Sequence, residues 1–168
     1  KTSLSKITFR RKELEIFNWL FMRTPCYPIQ ASKVTIIHGP KEFYETLAEK
    51  CQTATNRIVL ASLYLGTGSL EKKLVSAIKD NQSFVRGRLK LNVLLDFQRG
   101  SRGALNSKVM LKPLLEDSKN ICKISFYHTP RLRGLYKKWV PQRWNELVEL
   151  QHMKVYLADD TIIFSGAN

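Results

Sequence analysis

The sequence predicts an α/β fold, a mostly parallel sheet with helices on both faces. Three observations carry this. From Lys33 onward, strand-like and helix-like stretches alternate in the order β-α-β-α-β-α-β, followed by β-β. Two of the strands, Arg57 to Tyr64 and Leu89 to Leu95, are short apolar runs of the buried kind. The 168 residues, 43% hydrophobic and 25% charged, are about one domain's worth and enough to bury a real core.

Taken in order, residues 1–12 carry five positive charges and no acid. They read equally as the tail of a targeting segment, a linker or a plain solvated arm. Glu13 to Arg23 reads as a short amphipathic helix stopped before Pro25. Residues 1–31 thus form a basic arm with a short helix, and residues 32–168 an α/β unit. Val34 to Ile37 is expected as a strand. Pro40 opens a helix with Phe43, Leu47 and Cys51 on one face. Arg57 to Tyr64 follows as a buried strand. Leu70, Leu74, Ala77 and Ile78 then share a helix face. Leu89 to Leu95 is a second buried strand, ending in Asp96. Asn106 caps a helix through Leu115 that is expected to bend at Pro113. Ile121 to Tyr127 is a strand. Met153 to Ala158 and Thr161 to Ser165 are two more, around Asp159-Asp160.

Charge narrows the partners. Lys and Arg number 28 against 14 Asp and Glu, a formal +14, which suits nucleic acid, anionic lipid or phosphorylated substrates. Three cysteines without CxxC spacing and three scattered histidines build no zinc site. They read as reduced thiols. No apolar run approaches the ~20 residues that span a bilayer.

Ligands of open α/β sheets collect beyond the carboxyl ends of the strands, so the residues there are the candidates. Gly66 and Gly68, before a helix, form either a plain tight turn or a phosphate cradle of backbone N–H groups. Arg99 and Arg102, separated by Gly100-Ser101, form either a solvated basic loop or a pair of guanidinium forks for phosphate. His128 follows the Ile121–Tyr127 strand. From Thr129 to Asn145 there are five positive charges and no acid. Lys137, Lys138 and Arg143 interleaved with Trp139 and Trp144 suit a membrane interface, single-stranded nucleic acid or a solvated surface.

The most specific string is His152-Met153-Lys154-Val155-Tyr156-Leu157-Ala158-Asp159, an H-x-K-x-x-x-x-D pattern. On a strand, His152, Lys154 and Tyr156 would share one face, with Met153, Val155 and Leu157 forming an apolar stripe on the other. Neutral imidazole can attack phosphorus while the ammonium holds non-bridging oxygens. A carboxylate at the following turn, Asp159, can orient imidazole.

This string resembles the HKD signature of the phospholipase D superfamily, with Gly166-Ala167-Asn168 at the place of the signature's Gly- and Asn-containing turn. Leu60 to Gly68, Leu94 to Gly103, Phe126 to Pro130 and Leu150 to Tyr156 resemble, within that superfamily, the mitochondrial phosphatidylglycerophosphate synthase family. The resemblance runs from about Ser32 to Asn168. It implies a phospholipase D-like α/β fold. It also implies transfer of a phosphatidyl group from CDP-diacylglycerol to glycerol 3-phosphate, with release of CMP. His152 would form a phosphohistidine, Lys154 would hold phosphate oxygens and Asp159 would support the site. Arg99, Arg102, Gly66, Gly68, His128 and Asn168 would meet substrate. Lys137, Lys138, Trp139, Arg143 and Trp144 would dock on an anionic membrane, on the matrix side of the mitochondrial inner membrane. No metal or other cofactor is implied, and no specific nucleic acid. Members carry two HKD motifs and this chain shows one, so a second half is expected from the rest of a longer chain or from a dimer partner. The fragment alone is then expected to be inactive. Two readings stand beside this one: a dimeric single-motif phosphodiesterase acting on nucleic acid, and a non-catalytic basic module.

Overall fold

The structure, a computed structural model, describes residues 15, 17–25, 27–116, 120–130 and 149–166. The chain divides into two compact units, Lys1–Ile37 and His38–Asn168.

In the first unit the described residues contain one helical turn, α1 (Asn18–Phe21), and a 3-10 turn at Ala31–Lys33. Of the helix expected over Glu13 to Arg23, this four-residue turn is the α-helical part described. The strand expected at Val34 to Ile37 does not form. The segment is irregular, with Val34 59% and Ile36 72% exposed. A largely apolar tetrapeptide becomes a strand only where a neighbouring strand takes up its N–H and C=O groups, and no described strand pairs with it.

The second unit begins at a turn that only glycine enters freely, Gly39 at φ +99°. Pro40 then starts α2 (Pro40–Thr53), which buries Leu47 and Cys51. After β1 (Arg57–Ala61), α3 (Ser69–Lys79) buries Leu74, Val75 and Ile78. A short α4 (Gln82–Val85) has Asn81 as its cap. The Asn81 side chain accepts from the Ser83 and Phe84 N–H groups and donates to the Cys51 and Ala54 carbonyls, fastening α4 to the end of α2. Next come β2 (Lys90–Asp96), a turn of helix α5 (Phe97–Gly100), and α6 (Ser107–Glu116). Asn106 caps α6 as expected, accepting from the Lys108 and Val109 N–H groups. Strands β3 (Cys122–Tyr127), β4 (Val155–Ala158) and β5 (Thr161–Phe164) complete the unit.

The five strands form one sheet in the order β3-β2-β1-β4-β5. Pairs β1–β2 and β2–β3 are parallel, whereas β1–β4 and β4–β5 are antiparallel. The sheet is therefore evenly mixed, not mostly parallel. The physical reason lies in the last two strands. Strand β3 ends and β4 begins at the same end of the sheet, so β4 runs antiparallel beside β1, and the tight Asp159-Asp160 turn makes β5 antiparallel to it.

The described helices α2, α3 and α6 lie on one face. Ile58, Leu60, Leu91, Val93, Leu95, Tyr156, Ala158 and Ile163 alternate onto the covered face and are buried. Phe43 of α2 meets Tyr156 there, ring centres 5.5 Å apart, and α3 and α6 continue the layer. The other face carries exposed Lys90, Asn92 and Lys123, with Ile162 50% and Phe164 70% exposed. No described helix covers it. Strands β1, β2 and β3 step outward in one direction, so two right-handed crossovers put α3 and α6 on the same face.

Candidate active site

The strand order reverses at β1, whose chain leaves toward β2 on one side while β4 lies on the other. Such a switch point leaves a crevice at the carboxyl end of the strands. Asp96 ends β2 at this edge. It is 1% exposed, and its carboxylate accepts from the Arg99 N–H at 3.0 Å and the Gln151 N–H at 3.2 Å. Its own N–H donates to the Leu63 carbonyl at 3.0 Å. One residue beyond Gln151 stands His152. Ala61 pairs with Val155 in antiparallel register, so Tyr64 and His152 lie three residues beyond that pair on neighbouring chains, at the same edge.

His152 is exposed and Lys154 half-buried, and Lys154 Nζ lies 3.1 Å from His152 Nε2. The apolar stripe expected on the opposite face is not the buried one. Met153 is 54% exposed and Val155 and Leu157 are half-buried, whereas Tyr156 is 8% exposed. The helix layer lies on the Tyr156 side, which reverses the expected inside and outside of β4. His152 and Lys154 precede β4 proper.

A cavity of about 360 Å³ opens at the same edge. It is lined by Tyr64, Leu65, Gly66, Thr67, Arg99 and Arg102, and closed by Leu105, Asn106 and Ser107 at the start of α6. The Arg99 guanidinium stands 5.3 Å over the Tyr64 ring. Ser107, 2% exposed, donates to the Leu65 carbonyl and accepts from its N–H, pinning the loop to α6. The residues expected as a loop after Asp96 begin as α5, which fixes Arg99. Gly100 permits this, because a Cβ there would come within 2.8 Å of Phe126.

The glycine pair separates. Gly66 lines the cavity, whereas Gly68 caps α3 and is not among the lining residues. The Glu71 carboxylate packs against both, 2.7 Å from where a Gly68 Cβ would stand. The chain's own anion therefore takes the helix start that a phosphate would take. His128 lies beyond β3 with its ring edge-on to Phe97, centroids 5.2 Å apart, and Nδ1 3.0 Å from the Thr129 carbonyl. Its Nε2 is buried without a partner, as are both polar atoms of the Gln151 side chain.

Asp159 is not brought to His152. It sits at φ +49° in the β4–β5 turn, seven residues on, a path of about 20 Å at ~3.3 Å per residue. Its carboxylate accepts from the N–H groups of Thr55, Asn56 and Arg57 at 2.8 to 3.0 Å and from the Thr55 hydroxyl. Partial burial pushes its pKa up, but the N–H groups of Thr55, Arg57 and Asn56 and the Thr55 hydroxyl outweigh this and lower it to about 2. Its role here is to hold the entry to β1. Asn168 and the docking residues Lys137, Lys138, Trp139, Arg143 and Trp144 lie outside the described residues. Asp96, Tyr64, Gln151 and Ser107 are the site residues that sequence reading missed. Asp96 and Tyr64 end strands, which was the available signal. Ser107 carried none.

Comparison with known proteins gives the site a context. Mitochondrial CDP-diacylglycerol–glycerol-3-phosphate 3-phosphatidyltransferase of Gallus gallus is 46% identical over 157 residues, covering 90% of this chain and 28% of that protein. The Homo sapiens protein of the same name is 44% identical over the same shares. The Schizosaccharomyces pombe phosphatidyltransferase is 40% identical over 148 residues, 86% of this chain and 28% of its own length. This chain is homologous to a segment of these phosphatidyltransferases. It spans 28% of the length of the phosphatidyltransferase relatives just named. No protein-family model matches it. Among solved structures, the crystal structure of phosphatidylserine synthase from Haemophilus influenzae Rd KW20 superposes with a TM-score of 0.63. At 18% identity, over 92% of this chain and 32% of that one, this shows a shared fold.

Proposed function

We propose that this chain carries a nucleophile-bearing half of a phosphatidyltransferase that moves a phosphatidyl group from CDP-diacylglycerol to glycerol 3-phosphate. The observation that carries the reading is the His152–Lys154 pair, 3.1 Å apart at the same sheet edge as the arginine-lined cavity. The names of the relatives supply the substrates and the mitochondrial setting.

The His152 Nε2 lone pair attacks the phosphatidyl phosphorus. A P–N bond forms, the pyrophosphate P–O bond breaks, and CMP leaves with the bonding electrons. Lys154 turns its ammonium from the imidazole to the non-bridging oxygens as charge builds there. Arg99 and Arg102 hold the remaining phosphate oxygens from the cavity. The free primary hydroxyl of glycerol 3-phosphate then attacks the same phosphorus, the P–N bond breaks, and the hydroxyl proton passes to a base of the second half of the site. His128 and Asn168 remain proposed substrate contacts, and the residues from Lys137 to Trp144 a proposed docking patch on the matrix side of the inner membrane. That second half comes from the further length seen in the relatives or from a partner copy. A nuclease reading shares the H-x-K pair, but the relatives' names do not favour it.

The test is His152→Ala, assayed in the longest natural polypeptide that carries this chain. Transfer falls to background while the melting temperature holds. Turnover near wild type removes the nucleophile assignment.

A further inference from the structure

We propose that Asp96 is a positioning residue that sets the phosphate-binding arginine and the nucleophilic histidine in fixed register. The proposal rests on the reading of His152 as nucleophile.

Asp96 is a carboxylate in the core, 1% exposed, in a chain with twice as many basic as acidic residues. Such a group stays buried only when its oxygens are satisfied. Here they are satisfied by two segments distant in sequence. Oδ1 takes the Arg99 N–H at 3.0 Å and so fixes the first turn of α5, from which the guanidinium reaches over Tyr64. Oδ2 takes the Gln151 N–H at 3.2 Å, one residue before His152. The backbone of Asp96 pairs with Tyr127 of β3 and donates to Leu63 at the end of β1. One side chain thus joins both partners proposed to meet the phosphate. Neither Arg99 nor His152 lies within a long element that could hold it otherwise: α5 is four residues and His152 precedes β4. A capping role alone would account for the bond to Arg99. It does not account for the second oxygen's bond to Gln151, 55 residues away.

The geometry makes a graded demand. Asp96→Asn keeps an oxygen for one N–H group but turns an NH2 toward the other. Asp96→Glu keeps both acceptors but moves them by one methylene. Displacing reacting groups by about 1 Å costs on the order of a hundredfold in rate. The effect belongs in kcat, since the guanidinium and imidazole remain present for binding.

Both variants are made in the longest natural polypeptide carrying this chain, beside His152→Ala and Asp159→Ala. The readouts are kcat, KM for each substrate, and melting temperature. We expect Asp96→Asn and Asp96→Glu to lower kcat by about ten- to a hundredfold. KM should stay within about threefold of the parent for both substrates. Asp159→Ala, which weakens the fold at the far end of β4, should leave kcat unchanged. Parental kcat in either Asp96 variant overturns the proposal. So does a loss of kcat in Asp159→Ala that matches the Asp96 variants at equal loss of melting temperature. If Asp96→Asn does not fold, Asp96→Glu alone decides. His152→Ala separates the two ideas: full turnover there removes the nucleophile reading, whereas an inactive His152→Ala with a fully active Asp96→Glu removes only the positioning role.

Discussion

Asp159 and His152 share one motif and sit at opposite ends of β4. The carboxylate holds four donors from Thr55, Asn56 and Arg57, and their attraction lowers its pKa to about 2. An unfolded Asp titrates near ~3.9, so this group binds fewer protons in the folded chain. Its stabilisation is therefore complete above that value and lost as pH falls from about 5 to about 2. Asp159→Ala removes the acceptors and leaves a left-handed backbone without a residue suited to it. We expect a loss of about 2 kcal/mol, read from urea unfolding at neutral pH, with transfer activity kept. Asp159→Asn tolerates the same backbone and should flatten the acid limb of the stability curve. An unchanged acid limb in that variant contradicts the assignment. The His–Lys spacing was legible in the sequence because two residues apart in an extended chain means the same side. The Asp role was not, because spacing gives distance along the chain and says nothing of the end of the sheet where a turn lies.

At the scale of elements, the short α5 determines the cavity. Gly100 lets it approach β3, where any Cβ would press on Phe126 at 2.8 Å. Gly100→Ala should cost about 1–3 kcal/mol and displace Arg99, lowering kcat as the Asp96 variants do. Unchanged stability and kcat would contradict the close approach. Helix α2 makes a separate prediction through its buried face. Burial raises the Cys51 thiol to about 12 and the Cys122 thiol to about 11, so neither is a thiolate at neutral pH. An alkylating reagent at pH 7.5 should leave both intact in the folded chain and modify both in urea, as read by peptide mass. Fast labelling of Cys51 in the folded chain would contradict its place on the buried face of α2. Helices α2, α3 and α6 and strands β1 to β3 were legible, because each is a periodic pattern that one neighbouring layer satisfies. The strand expected at Val34 to Ile37 was a misreading. A pattern of apolar residues does not carry its own hydrogen-bond partner.

At the scale of the molecule, topology was only half legible. Alternation of strand and helix predicted the crossovers. It did not predict that β4 and β5 would run antiparallel on the far side of β1, since alternation does not say at which end of the sheet a strand re-enters. The proposed lipid substrate, CDP-diacylglycerol, demands a surface. Each basic residue near anionic lipid contributes about 1 kcal/mol, and interfacial tryptophans add anchorage. Vesicles rich in cardiolipin should therefore bind the protein in a salt-sensitive way. Trp139→Ala and Trp144→Ala should weaken vesicle binding more than binding to double-stranded DNA. Equal effects on both would leave only a basic surface. The proposed transfer runs through His152 and cationic side chains and calls on no metal, so EDTA should leave transfer intact. Strict dependence on added divalent cation would contradict the mechanism. The central claim is a phosphorus–nitrogen bond at one named imidazole. CDP-diacylglycerol labelled at the phosphatidyl phosphorus, given without glycerol 3-phosphate and quenched in alkali, tests it most directly. The account predicts label on the peptide containing His152, discharged by acid and by glycerol 3-phosphate. An enzyme that turns over yet carries no label at His152, or that labels equally after His152→Ala, would contradict it.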